Sequence, residues 1–430
     1  MQIPIDKNST IMISLLNSRT RLLHKVGAKL NKENNYNIFY FGDDSWVEDY
    51  ALNNNLNYLI LNSKYSNNTT SINEELKEVF IDIYNKDRSI KYYLNESDAI
   101  NLFQLWFNKI SNYIEKNKIN YILIEGTPAY ELIAELVIQK NKKKVICLFP
   151  SPIVSDWTLA AKQSQWVELY KTNSSNKNKE SFINEFKQSL DEPLKTKSYI
   201  SIKPKISNKL KIIFLKKSIN FYPLTRIIYL YVFRKIMAKI IPIMDDTIDK
   251  EYDYIIFLHK EPEKSVQNSA SKFANQDQAI INFLKEYQNK KILIKDHPHA
   301  KGYRKISEIT KWKNYGIDYT STLSNAKALE ITDNIVTFTG TIATEASFKG
   351  KNVFLLGRSF QEISKNINPI FINKYYKFNI LKATDSYEYI EKLADSAFQG
   401  IVTDEVSRPE CLKLSNIKRI SDGIKSIICI

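Results

Sequence analysis

The sequence predicts an α/β protein with two Rossmann-like lobes, a cleft between them and a helical connector. Two regions of the chain show short apolar strands alternating with helical segments, which is typical of parallel sheets covered by helices. The 430 residues suit two domains, and a hydrophobic content of 43% is enough for two cores. We expect an amino-terminal lobe over residues 1–150, a connector over 151–247 and a carboxyl-terminal lobe over 248–430.

The amino-terminal lobe is predicted from strands and helices that alternate up to residue 150. Its strands are expected at residues 10–16, 37–41, 57–61, 121–125 and 144–149, and its helices at residues 19–30, 99–116 and 130–139. Glu125 ends the fourth of these strands, and Asp43 follows the second. Because ligands bind at the carboxyl ends of strands in open α/β sheets, both carboxylates are candidates for chemistry.

The connector carries most of the excess positive charge. The formal net charge is +15, and residues 193–244 contain twelve Lys or Arg and no Asp or Glu. Residues 224–239 mix apolar side chains with cations at helical spacing, which suits an anionic membrane surface. The favoured interpretation of this segment is a core helix with solvated lysines, and membrane association is the first alternative. Nucleic-acid binding is the second, but no nucleic-acid-binding signature is present, so no such partner is expected. The uncharged run at 227–233 is too short to span a bilayer, which needs about 20 apolar residues.

The cysteines and the amino terminus both favour a cytoplasmic location. Cys147, Cys411 and Cys429 lack metal-ligand spacing and cannot all pair, which is typical of a reducing compartment. The first sixteen residues lack the basic start and apolar core of a signal peptide. We expect a cytoplasmic protein, peripheral on the inner face of the cytoplasmic membrane if the basic segment contacts lipid.

The carboxyl-terminal lobe is predicted to hold the densest chemistry. Residues 254–357 contain three of the four histidines and five of the ten glycines. Strands are expected at residues 254–258, 291–295, near 316, 334–338 and 353–356, with helices at 277–287 and 342–349. Polar residues follow the strands, so a parallel sheet would gather them at one edge.

The segment Thr339-Gly340-Thr341 is a candidate phosphate-binding loop between a strand and a helix. Free backbone N–H groups at a helix start favour an anion, and the threonine hydroxyls add donors. Helix capping by Thr341 is the alternative. Glu345 lies four residues after Thr341, not three, so a capping box does not explain it, and its carboxylate can instead face a ribose or sugar hydroxyl.

A second candidate site is Lys295-Asp-His297-Pro298, which follows an apolar strand. The proline fixes the turn, so His297 projects from the strand end. An imidazole there can donate to a phosphate and, when protonated, offset the charge of a departing nucleotide. His259 ends another strand of the lobe with Glu263 four residues on, and we expect it at the same edge, whereas His299 is interpreted as a surface-loop residue.

These residues together resemble the capsule polysaccharide biosynthesis type of bacterial glycosyltransferase, a family that includes the Kdo transferases. Its motifs are a strand ending in Leu-His-x-x-Pro-Glu, an Asp-Gln on a helix, a Lys-x-His-Pro turn, and Thr-Gly-Thr-x-x-x-Glu-Ala before Gly-Lys and a final Gly. The matching segments in this chain begin at Leu258, Asp277, Lys295, Thr339 and Gly350, with Gly357 last. The order and spacing of the five segments carry the resemblance, which covers residues 252–357.

The resemblance implies a GT-B fold, in which the carboxyl-terminal lobe holds an activated nucleotide sugar and the amino-terminal lobe presents the acceptor. His297 would contact the donor phosphate, and Thr339 and Thr341 would belong to the phosphate loop. Relatives with these motifs use CMP-linked donors such as CMP-Kdo or CMP-sialic acid, so no cofactor and no metal are expected. Thr344 stands where the family often has an aromatic residue, and Arg-Ser-Phe-Gln follows Gly357.

Sugar transfer at an anomeric carbon needs a carboxylate as base or nucleophile. The amino-terminal lobe is expected to supply it. Glu125 is the first candidate, with capping of the following helix as its structural alternative. Asp43, beside Asp44, is the second candidate.

The sequence therefore predicts a glycosyltransferase of bacterial capsule or lipopolysaccharide biosynthesis. It would transfer an acid sugar from CMP-Kdo, or next CMP-sialic acid, to an oligosaccharide or glycolipid acceptor. The alternatives are a CDP-polyol phosphotransferase of the teichoic acid type, a non-catalytic nucleotide-binding protein of capsule assembly, and a nucleotide-sugar epimerase.

Overall fold

The fold is seen in a computed structural model that describes most, but not all, of the chain. The described residues are 9–16, 19–61, 73–87, 90, 94–151, 154–164, 168–172, 176–191, 224–248, 251–260, 276–287, 289–298, 300–301, 304–338, 340–356, 371–372, 375–376, 379–381, 385–405 and 408–429.

Strands and helices alternate along the described chain. The strands are β1 (Thr10–Ser14), β2 (Asn37–Gly42), β3 (Tyr58–Ile60), β4 (Tyr121–Ile124), β5 (Lys144–Pro150), β6 (Trp157–Ala161), β7 (Tyr254–Phe257), β8 (Ile292–Lys295), β9 (Asp318–Thr320), β10 (Asn334–Thr337), β11 (Asn352–Leu355), β12 (Phe371–Ile372), β13 (Tyr375–Tyr376), β14 (Asn379–Leu381) and β15 (Ala397–Gln399). The helices are α1 (Thr20–Asn34), α2 (Ser45–Asn53), α3 (Glu74–Lys86), α4 (Glu96–Lys116), α5 (Ala129–Lys140), α6 (Asn176–Asp191), α7 (Leu224–Ile240), α8 (Gln276–Glu286), α9 (Ile306–Asn314), α10 (Asn325–Ile331), α11 (Ile342–Phe348), α12 (Asp385–Ser396) and α13 (Leu414–Ile428). Short 3-10 helices occur at Ile241–Met244 and Pro409–Leu412.

Several helices begin where a short polar side chain satisfies a free backbone N–H. Asp44 accepts from Trp46 N, Asn73 from Glu75 N and Asn95 from Asp98 N, and Ser324 acts in the same way before α10. These are the residue types that the helix-capping preference predicts. Local sequence therefore sets the start of α2, α3, α4 and α10.

The first unit contains a seven-stranded sheet in the order β15-β6-β5-β4-β1-β2-β3. The strands β1 to β5 are parallel to one another, and β6 pairs antiparallel with both β5 and β15. Every residue of β1 is buried, which is typical of a central strand covered by helices on both faces. This parallel sheet confirms the α/β prediction for the amino-terminal part of the chain.

The second unit contains a six-stranded sheet in the order β14-β11-β10-β7-β8-β9. Five of these strands are parallel, and β14 adds an antiparallel edge. Helices α8, α9, α10 and α11 connect the parallel strands in chain order. The predicted α/β class is confirmed here also, while the cleft between the lobes stays a prediction.

The division of the chain differs from the predicted boundaries. The first unit consists of residues 1–220 together with 391–430, and the second of residues 221–390. Residues 391–430 were expected in the second lobe, but β15 pairs with β6 and the last helix packs on α1 in the first unit. The pairing of β15 with β6 joins segments that are far apart in the chain. No local sequence pattern therefore predicts that residues 391–430 belong to the first unit.

The predicted connector begins later than residue 151, because β6 extends the first sheet. Its five residues, Trp157–Ala161, are all buried, and they pair with β5 on one side and β15 on the other. Two of them are Ala, which is depleted in strands, so the sequence pattern does not indicate a strand here. The strand exists because two neighbouring strands supply its hydrogen bonds.

None of the helices in the described part of the chain has the length and apolar character needed to span a bilayer.

The segment that returns to the first unit contains a close contact between β15 and α13. A methyl group added at Gly423 would lie 2.3 Å from the ring of Phe398. We expect Gly423→Ala to lower the free energy of unfolding by about 1–3 kcal/mol, because the overpacked ring or helix must shift. This is the opposite of the gain of about 1 kcal/mol that Ala brings to an exposed helix position. Thermal denaturation followed by circular dichroism measures the difference.

The double-mutant cycle with Phe398→Leu is the control for this contact. In the Phe398→Leu background, Gly423→Ala should cost less than it does in the native chain, because a smaller side chain leaves room for the methyl group. Equal costs in both backgrounds would show that the ring does not oppose the substitution.

Candidate functional site

Three neighbouring strands of the second unit end level with one another. In the order β10, β7, β8, Thr337 lies beside Phe257, and Phe257 lies beside Lys295. The strands are parallel, so the residues that follow them share one edge of the sheet. His259 comes two residues after Phe257 and is buried, and His297 comes two after Lys295 and is half-buried. Both predicted histidines therefore follow level positions on adjacent strands.

The loop after β10 passes directly beside the imidazole of His259. A Cβ atom on Gly340 would lie 3.3 Å from His259 Nε2 and 2.9 Å from Thr337 Oγ1. The backbone of His259 is held by Gln276, whose Oε1 accepts from His259 N at 2.8 Å and whose Nε2 donates to the His259 carbonyl at 3.2 Å. Gly340 thus permits a close approach that a side chain would disturb.

Lys295 is a buried cation at the end of β8. Its side chain is 3% exposed, and its Nζ lies 5.2 Å from the centre of the Phe257 ring. Burial lowers the pKa of Lys295 to about 8, although Asp296 and Glu345 act in the opposite direction. A buried ammonium of this kind favours a charged partner, which a bound anion would provide.

Glu345 lies in the first turn of α11, close enough to Lys295 for the two charges to interact. Burial raises the pKa of Glu345, and Lys349 and Lys295 oppose this shift. Its Oε1 lies 3.6 Å from Lys349 Nζ. The structure therefore places the predicted carboxylate near the predicted cation.

A buried ion pair supports the His297 turn. Asp296 accepts from Arg304 Nη2 at 2.7 Å and Nε at 3.0 Å, from Tyr319 Oη at 2.8 Å and from His297 N at 2.8 Å. Arg304 Nη2 also donates to the His259 carbonyl at 3.3 Å. The pair is almost completely buried, so it holds the ends of β7, β8 and β9 in fixed relation.

Thr341 does not cap α11 with its side chain. Its hydroxyl makes no capping hydrogen bond, and the residue is exposed. The first turn is closed by backbone groups instead, with Ala343 N donating to the Gly340 carbonyl at 3.0 Å and Glu345 N to the Thr341 carbonyl at 3.3 Å. The capping alternative for Thr341 is therefore not seen.

The remaining predicted residues of this lobe have mixed positions. Pro298 is exposed in the turn after His297. Glu263, Thr339 and the loop residue His299 lie outside the described residues. Asp277 belongs to the motif order, but it accepts from Trp312 Nε1 and Lys311 Nζ, both at 2.8 Å, and so ties α8 to α9.

In the first unit, Glu125 lies directly after β4 and forms an ion pair with Arg19. The distance from Arg19 Nη1 to Glu125 Oε2 is 3.3 Å, and the side chains are 14% and 20% exposed. Glu125 does not cap the following helix, whose capping residue is Pro128. The ion pair lines a small pocket with the residues Ser14, Leu16, Leu23, Leu123, Ile124, Leu148 and Val402.

Glu131, which sequence reasoning missed, holds the turn that carries Glu125. Its Oε2 accepts from the backbone N–H groups of Glu125 at 3.2 Å, Gly126 at 2.7 Å and Thr127 at 3.3 Å. The side chain is completely buried, and burial together with the charge of Glu125 raises the pKa of Glu131 to about 7. Its position in the first turn of the helix after Gly-Thr-Pro was the available signal.

Asp43 follows β2 at the same edge of the first sheet. Burial, and then the neighbouring charges of Asp44 and Asp87, raise the pKa of Asp43 to about 7. Asp44 and Asp87 have structural roles, because Asp44 accepts from Trp46 N and Asp87 from Ala129 N, both at 2.8 Å.

Among the described residues, no group of three or more His, Cys, Asp or Glu is arranged to hold a metal ion.

Sequence comparisons do not assign the chain to a known group, since no family model and no curated protein matches it. Comparison of structures finds similar folds at low identity. A beta Kdo 2,7 transferase, KpsC of Thermosulfurimonas dismutans, is 12% identical over 72% of this chain and 89% of its own, with a TM-score of 0.34. A beta Kdo 2,4 transferase structure of the same KpsC is 11% identical over 71% and 87%, with a TM-score of 0.32.

A different enzyme class is found at similar identity. The UDP-GlcNAc 2-epimerase from Neisseria meningitidis, bound to UDP-GlcNAc, is 11% identical over 90% of this chain and 94% of its own, with a TM-score of 0.25. At these identities and TM-scores, the similarities carry no conclusion about the activity of this chain.

Proposed function

We propose that this chain is a GT-B glycosyltransferase that transfers an acid sugar from a CMP-activated donor to a glycan acceptor in surface polysaccharide biosynthesis. The observation that carries the proposal is the gathering of Lys295, His259, Gly340 and Glu345 at the carboxyl edge of one parallel sheet. These residues come from three of the separate motifs whose order resembles the Kdo transferase family.

The edge of the second unit suits a donor that carries a single phosphate. Lys295 supplies a buried positive charge, and the Gly340 loop brings a backbone close to the imidazole of His259. His297, on the neighbouring strand end, can donate to a departing phosphate. CMP is the leaving group in this proposal, because the side chains of Lys295 and His297 can balance the negative charge of its phosphate without a metal ion.

The first unit would supply the carboxylate that activates the acceptor hydroxyl. Asp43 has a pKa of about 7, which suits a general base that works near neutral pH. Glu125 lies at the same edge but is paired with Arg19, so it suits a charged role as nucleophile or as a positioning group. Asp43 and Glu125 are therefore both candidates for the carboxylate that acts in transfer, and the pH dependence of turnover distinguishes them.

Nucleotide selectivity tests the donor proposal directly. We expect CMP to raise the melting temperature more than CDP, UMP, UDP, GDP or ADP, because ligand at a hundred times its Kd adds about 2.7 kcal/mol of stability. His297→Ala should lose most of this shift. His24→Ala, which removes a histidine of the first unit, is the matched control and should keep it, with each variant compared with its own ligand-free melting temperature. Preference for CDP would point to a polyol-phosphate transferase, and preference for UDP to a UDP-sugar enzyme.

The affinity for CMP should depend on pH through Lys295. The protonated ammonium binds the phosphate, so binding is strongest below the pKa of about 8 and weakens as pH rises through it. If the neutral form does not bind, the affinity at pH 9 is about tenfold lower than at pH 7. Isothermal titration over this range measures the slope. Lys295→Met has a similar length and no charge, so it should bind weakly and without this slope; a slope equal to that of the native chain would exclude Lys295.

The pH dependence of turnover separates the two carboxylates. If Asp43 is the base, kcat/KM falls as pH drops below about 7, because protonation removes the base. Asp43→Asn should then lower kcat by about 100-fold or more and abolish that limb. Glu125→Gln should lower kcat with CMP binding nearly unchanged and the acid limb retained. Full activity in either variant would exclude the role assigned to that residue.

A further inference from the structure

We propose that α7 and the 3-10 turn after it form a docking surface for an anionic lipid bilayer. The surface consists of apolar side chains and cations within one short segment of the second unit. Its members are Val232, Phe233, Lys235, Ile236, Lys239 and Ile243. The inference is independent of the proposed enzyme activity.

One side of this segment is anchored in the core of the second unit. Met237 is 5% exposed and Ile241 is completely buried, and both belong to the hydrophobic cluster that includes Ile256 and Ile280. Residues four apart lie on one face of a helix, so Met237 and Ile241 define the inner side. The segment is therefore a fixed part of the unit, and its other side is presented outward.

The outward side exposes large apolar groups. Val232, Phe233 and Ile236 are 48%, 45% and 50% exposed, and Ile243 is 81% exposed. Nine large hydrophobic side chains are exposed in the part of the chain that the structure describes, and four of them lie between residues 232 and 243. This concentration favours a membrane-facing outer side for the second half of α7, beside the inner side that packs in the core.

Cations lie next to this apolar stripe. Val232 and Ile236 are four residues apart, and so are Lys235 and Lys239, so each pair forms its own line along the helix. At about 100° per residue, the lysine line is adjacent to the apolar line. Lysines in this position can reach lipid phosphates while the apolar side chains enter the headgroup boundary.

The two carboxylates that follow this segment in the chain are bound within the second unit. Residues 193–244 contain no Asp or Glu, and the next residues are Asp245 and Asp246. Asp245 accepts from Ser321 N at 2.8 Å, and Asp246 accepts from Lys313 Nζ at 2.7 Å. Both acids are thus engaged by the second unit, and they fasten the end of the segment to it.

An anionic bilayer fits this surface better than a nucleic acid does. A nucleic acid would use the cations, but it gives no reason to expose Val232, Ile236 and Ile243 beside them. The helix is 17 residues long and carries four cations in its sequence, so it suits a position in the plane of the interface. Apolar contact and charge would then act together.

Co-sedimentation of the full chain with lipid vesicles tests the surface. Two compositions are compared: phosphatidylcholine alone, and equal parts of phosphatidylcholine and phosphatidylglycerol. We expect binding to the anionic vesicles, weakened by salt, and little binding to the neutral ones. The double variant Val232→Asp/Ile236→Asp should lower the partition coefficient by about tenfold or more, because it removes apolar contact and adds negative charge.

Two further variants make the result specific. Lys235→Gln/Lys239→Gln should weaken binding and reduce its salt dependence, because two cations are lost. Leu414→Asp alters an apolar residue of the first unit that is 82% exposed, and it should bind vesicles like the native chain. All three variants change exposed side chains, so unaltered melting temperatures verify that they fold.

The proposal would be overturned if Val232→Asp/Ile236→Asp bound anionic vesicles as well as the native chain does, or if Leu414→Asp lost as much binding as that double variant. Binding of the native chain to a DNA duplex but not to anionic vesicles would also overturn it.

Discussion

The ion pair between Asp296 and Arg304 is the interaction on which the candidate donor site depends. The buried Asp296 carboxylate accepts hydrogen bonds from the Arg304 guanidinium, the Tyr319 hydroxyl and the backbone N–H of His297. The same guanidinium also donates to the carbonyl of His259. The pair thereby joins two strand ends that carry the predicted histidines. Breaking such a pair leaves an uncompensated buried charge, which typically costs about 3–5 kcal/mol, so the geometry of this edge and the stability of the unit are linked.

The first unit uses a carboxylate in a similar way. Glu131 accepts three backbone N–H groups of the turn at residues 125–127, and this fixes the loop after β4. In both units a buried acid that is not itself a predicted site residue shapes a loop at a strand end. Glu125 in the first unit and His297 in the second, both with proposed chemistry, are placed by that support.

Much of the fold and part of the site could be predicted from the sequence. The strands β1, β2, β4, β7, β8 and β10 are short apolar runs, and their lengths and polar ends indicate parallel strands with functional edges. That reasoning led to Lys295, His297, Gly340 and Glu345. It did not lead to Arg304, because an arginine in a loop has no local signal for a partner eight residues earlier that only the fold buries.

What the sequence by itself determined is the alternation of strands and helices, the helix caps, and the concentration of positive charge before residue 245, because each depends on residues close together in the chain. Only the tertiary structure decided that residues 391–430 return to the first unit and that β6 joins its sheet. It also decided which acids are buried with raised pKa and which side of α7 is exposed. These properties follow from long-range pairing and from desolvation, and both arise only when distant segments exclude water together.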